Sequence, residues 1–194
     1  MTDATPIVTP AEVVRFWTEA GPDRWFTKDD AFDAEIRRRF LATHEAAAEN
    51  KLASWEQSAD GALALLILLD QFPRNMFRGS ARAFATDAQA RAITASALLR
   101  GFDAQVPSDL RAFFYLPFEH SEDMADQERG VAIYTAAGIC AEAENTSMPG
   151  ARFMIDSRRP VLVEASLIAT MRGCSASHAM TSSVRSLRWK LGLV

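Results

Sequence analysis

An unbroken apolar run, Ala62–Leu69, stands out in the chain. Apolar on every side, it predicts a central buried helix. Ser58 or Asp60 caps its start, and its end falls near Gln71. Pro73 is expected to push Phe72 out of the helical region. Before this run, Val13, Val14, Phe16 and Trp17 mark one face of a helix that Thr9-Pro10-Ala11-Glu12 opens with a capping box and that Gly21 closes after Ala20. Pro22 to Lys28 reads as a turn. Phe32, Ile36, Phe40 and His44 then line one face of a second helix, from Asp29 or Asp30 to about Asn50, with His44 a satisfied core histidine. Thr86-Asp87 starts and caps another helix, which Gly101 ends. Ser108 caps a short one interrupted by Pro117, and Ser121-Glu122-Asp123 caps one running to about Ala137, with Gly138 as its stop. No strand pattern precedes residue 138, so the fold class is all-α, built from antiparallel helix pairs.

Polar residues crowd two places. The central run leaves through Asp70-Gln71-Phe72-Pro73-Arg74-Asn75, and a second cluster follows at Phe113-Phe114-Tyr115-Leu116-Pro117-Phe118-Glu119-His120-Ser121-Glu122. A carboxylate at Asp70, directly after a buried run, needs a partner. Arg74 is the nearest by sequence and Arg78 the next. Two roles compete for these arginines: a structural ion pair at the helix exit, or planar donor forks for a carboxylate or phosphate, with Gln71 and Asn75 orienting it. His120, flanked by Glu119 and Glu122, can act as general acid or base, with Asp70 or Glu119 orienting it. Ser121 reads as a helix cap rather than a nucleophile. Trp25 in its turn and Tyr115 are the aromatic candidates for a pocket wall.

Charge and composition narrow the classes. The chain has 194 residues, 48% apolar and 24% charged, with a net charge of −4, which suits one globular domain and argues against a nucleic-acid binder. Two cysteines, Cys140 and Cys174, form neither a disulfide framework nor a zinc pattern. No cofactor motif and no metal-ligand spacing is present, no apolar run is long enough for a membrane, and the N-terminus has no signal-peptide pattern. A reduced, cytoplasmic setting is the expectation.

Five ordered pieces resemble a bacterial family of unknown function, DUF924, over residues 9–137. They are Val14-Arg15-Phe16-Trp17 with Arg24-Trp25-Phe26; Phe32-Asp33-Ala34-Glu35-Ile36-Arg37; Leu69-Asp70-Gln71-Phe72-Pro73-Arg74-Asn75; Ala83-Phe84-Ala85-Thr86-Asp87; and the cluster from Phe113 to Glu122. The resemblance implies a tetratricopeptide-like helical fold and no established activity. From residue 139 the motifs stop, and 1–138 and 139–194 read as a family-like domain and a divergent tail. Residues 139–194 carry seven Lys/Arg and four Asp/Glu, or +3, against −7 for the rest. Beginning each codon of Ala165–Thr170 one base earlier permits Phe-Pro-His-Arg-Asn, a motif such family members carry, so the tail is hypothesised to be a frameshift product. Resequencing that finds no reading frame for this motif after a one-base change would refute it.

Three functions remain open from the sequence. The first is a binding module for a small anionic molecule or peptide, using Gln71, Arg74, Asn75 and Arg78. The second is an enzyme using His120 on an anionic substrate, and the third is a structural protein or homo-oligomer.

Overall fold

The computed structural model describes residues 6–136, and they are all-α, with no strand among them. Helix α1 (Pro10–Ala20) begins in the capping box read from the sequence. Thr9 Oγ1 accepts from the Glu12 amide at 3.3 Å, and Glu12 Oε2 accepts from the Thr9 amide at 2.8 Å. Gly21 ends the helix at φ 73°, a conformation that costs a glycine little. The expected turn after it contains a short helix, α2 (Pro22–Trp25). In α3 (Asp30–Ala48), Asp29 accepts from the amides of Ala31 and Phe32. A 3-10 turn (Ala53–Gln57) leads to α4 (Ala59–Leu66), where Ser58 caps the Gly61 amide. Gly61 is required there, because a Cβ would lie 2.1 Å from the Trp55 carbonyl oxygen.

The central helix does not end at Gln71. It widens into a π-helical turn (Ile67–Gln71) and continues as α5 (Phe72–Met76), and Phe72 keeps helical angles, φ −60° and ψ −37°. The proline is accommodated by a change of helix type, and Phe72 stays inside. A 3-10 turn (Ala81–Phe84) precedes α6 (Asp87–Leu99), followed by 3-10 turns at Asp103–Gln105 and Ser108–Phe114, then α7 (Leu116–Glu119) and α8 (Met124–Ala136). Pro117 lies in the first turn of α7, where no intrahelical N–H is missed.

The core and site described here belong to one compact unit, Met1–Gly130; the remainder of α8 lies in a second unit. Helix α4 is buried on all sides, against α1 and α6, while α3 packs on α5. Phe72 is the aromatic hub at the helix exit, with ring centroids 4.8 Å from Phe40, 5.6 Å from Trp17 and 6.1 Å from Phe16. No helix among the described residues is long and apolar enough to cross a membrane. Gly138 and the tail 139–194 lie outside the described residues.

Candidate functional site

The site is built on the π turn. The Phe72 amide donates to the Ile67 carbonyl, five residues back rather than four. That leaves the Leu68 carbonyl without its α-helical donor, and the next nitrogen along belongs to Pro73, which has no N–H. The Leu69 carbonyl loses its α-helical donor to the same proline. Side chains from two other elements fill both gaps. His44 Nδ1 of α3 donates to the Leu68 carbonyl at 2.8 Å, and the Thr86 hydroxyl donates to the Leu69 carbonyl at 2.5 Å. Since a carbonyl only accepts, His44 must carry its proton on Nδ1. Burial lowers the His44 pKa below the usual histidine value, more than its bond to Leu68 raises it.

Asp70 sits inside this turn, 1% exposed, and accepts from three side chains. Gln71 Nε2 lies 2.5 Å from Oδ2; Arg74 Nη2 and His120 Nδ1 lie 3.1 and 2.7 Å from Oδ1. Burial pushes the Asp70 carboxyl up, but the His120 ring, the Arg74 guanidinium and the Gln71 amide together outweigh it and hold the pKa at about 2. An ionised Asp70 obliges His120 to hold its proton on Nδ1, which leaves Nε2 to exchange one. Among the described residues Nε2 has no hydrogen-bond partner. Burial lowers the His120 pKa, opposed chiefly by the Asp70 charge. The backbone of His120 is held as well, because its amide donates to the carbonyl of Leu116, the first residue of α7.

Arg74 also reaches Asp87, with Nη2 at 3.1 Å from both carboxylate oxygens, and its guanidinium lies 5.2 Å from the centre of the Phe84 ring. Burial raises the Asp87 pKa against the pull of Arg74. From the sequence Asp87 reads as a helix cap and Asp33 has no site role; both belong to the site's surroundings. Asp33 of α3 binds Asn75 Nδ2 at 2.8 Å and takes Arg78 in a bidentate pair, at 2.9 and 3.1 Å. Their signal was present, since both aspartates stand in the motif pieces that carry the family resemblance.

The two polar clusters of the sequence therefore meet: Asp70, Gln71 and Arg74 from the first, His120 from the second. Of the two carboxylates expected to orient the histidine, Asp70 is bonded to its ring. Asn75 and Arg78 form the neighbouring Asp33 group. Ser121 donates to Asp126 at 2.8 Å and accepts from the Asp123 amide, as a cap does. Trp25 is no exposed wall: it is buried, its indole N–H donates to the Trp17 carbonyl at 2.6 Å, and it stacks on Trp17. Tyr115 is fully buried, and its phenol donates to Asp103 at 2.8 Å. No group of three or more histidine, cysteine, aspartate or glutamate side chains able to hold a metal exists among the described residues.

Fold and site together define an all-α protein with a buried aspartate–histidine pair at a π-helical turn. The chain belongs to the family described as bacterial protein of unknown function (DUF924), whose model matches residues 13–168. The match continues past Gly138, where the motif pieces stop. A solved structure of a protein of unknown function from Agrobacterium tumefaciens is similar, at 50% identity over 66% of this chain and 73% of that one, with a TM-score of 0.65. No curated protein matches.

Proposed function

We propose that Asp70 and His120 form a general acid–base pair and that the protein is an enzyme. The observation that carries this reading is the 2.7 Å bond from His120 Nδ1 to a carboxylate held in place by Arg74 and Gln71. Asp70 fixes the ring's tautomer and orientation and stabilises the imidazolium formed when Nε2 takes a proton. Burial keeps the ring neutral near pH 7, so Nε2 is ready as a base. Ser121 is committed to Asp126, so an attacking oxygen would come from water or substrate.

The anion-binding reading has less support, because the arginines meant to hold the anion are on carboxylates: Arg74 on Asp70 and Asp87, Arg78 on Asp33. A structural reading draws on one specific observation, the complete satisfaction of Asp70 inside the protein. A screen of hydrolase, lyase and isomerase substrates separates the two. The acid–base reading expects turnover that His120→Gln lowers by roughly a hundredfold or more with the fold intact. Turnover unaffected by His120→Gln, or a wild type inactive throughout the screen while His120→Gln unfolds more easily, would favour a structural role.

A further inference from the structure

We infer that, given the Asp70–His120 pair proposed above, Thr86 and His44 are its positioning residues: by donating to the Leu69 and Leu68 carbonyls they hold open the π turn that aims Asp70 at His120. A π turn inserts one extra residue, so everything after it is rotated by roughly 100° relative to an uninterrupted α-helix. In this helix the rotation sends Phe72 into the aromatic core while Asp70 faces His120.

The turn cannot hold itself. Pro73 supplies no N–H to either carbonyl, and both are buried, where a carbonyl without a donor is costly. Each has one side-chain donor, delivered from a different element. His44 comes from near the C-terminal end of α3 and Thr86 from the residue before α6. Thr86 makes no capping bond to its own helix, although its position is that of an N-cap. Its hydroxyl is spent on the neighbouring helix, and Asp87, the next residue, is spent on Arg74. One short segment therefore supports Asp70 twice, through its backbone turn and through its arginine partner.

Nitrogen-15 NMR of the full chain reads this without a substrate. The protein has three histidines, His44, His120 and His178, so their ring signals can be assigned by single substitutions. In the wild type the His120 Nδ1 proton should be observable and slowly exchanging. Thr86→Val, which keeps the shape and removes the hydroxyl, is expected to speed that exchange roughly tenfold or more, the equivalent of one hydrogen bond, and Thr86→Ser to restore it. Pro73→Ala approaches the same turn without removing a donor. By restoring an N–H it lets the helix close to α geometry, and it should speed the exchange as well. If Thr86→Val does not fold, Pro73→Ala decides. Unchanged His120 exchange and titration in every folded variant, even with a lower melting temperature, would overturn the assignment and leave Thr86 and His44 as carbonyl caps only. Asp70→Asn tells this failure apart from failure of the pair itself. If Asp70→Asn shifts the His120 titration while the turn variants do not, the pair stands and the positioning role falls. If Asp70→Asn leaves that titration unmoved, the pair falls.

Discussion

Phe72 and Asp70 lie two residues apart on one helix, and the two sides they face obey different rules. Phe72 enters a stack of rings with Phe16, Trp17 and Phe40, held by area and shape, where several neighbours share the contact. Asp70 enters a set of discrete partners, each with one geometry, and every one of them answers a charge or a proton. The aromatic side gives Phe72 its place just beyond the turn. The polar side carries more polar groups than a helix exit needs. The π turn is the device that serves both from one short stretch of chain.

Substitutions at matched positions sharpen this contrast. Phe72→Ala should cost most, about 3–5 kcal/mol in chemical unfolding, since it empties the hub of the ring stack. A loss under about 1 kcal/mol would show that the rings close over the gap and that the aromatic side is not what anchors the exit. Arg74→Met comes next, at about 3 kcal/mol, because it leaves Asp70 and Asp87 buried without their shared cation. Arg78→Ala, one turn further on, removes a well-formed bidentate pair that is far more exposed, and should cost about 1 kcal/mol or less. Equal losses for the two arginines would erase the distinction between a buried charge network and a surface pair.

The smallest effect is one of pH. His44 and His120 both have folded-state pKa values lowered by burial, so below about pH 6.5 the unfolded chain binds the protons more readily. Stability from this source is complete above the unfolded value and is lost as pH falls below it. Asp70 follows the same sign at lower pH: its contribution holds above the ordinary aspartate value of 3.8 and disappears as pH falls through about 2. Unfolding curves from pH 8 to 5 should show the first decline, and His120→Gln should make it shallower.

The sequence reading succeeds where the decisive atoms are close together along the chain. The capping box of Thr9 and Glu12, the cap of Asp29 and the stops at Gly21 and Gly101 are local, and the structure has them. The pairing of Asp70 with Arg74 is one helical turn long and was equally readable. The helix exit departs from the sequence expectation for the opposite reason. A rule about the residue before proline sees only the chain, whereas the π turn depends on donors from His44 and Thr86, 24 and 17 residues away from the carbonyls they serve. Asp87 looked like a cap because its position fits one; only the fold brings Arg74 beside it. Trp25 looked exposed because a turn usually is, yet its indole closes on Trp17.

The most direct test of the central claim is a pH titration of the His120 ring nitrogens by NMR in the unmodified chain. Nδ1 should stay protonated across the range, bonded to Asp70, while Nε2 alone gains and loses its proton with a midpoint below about 6.5. A neutral ring carrying its proton on Nε2, or a midpoint above that value, would contradict it.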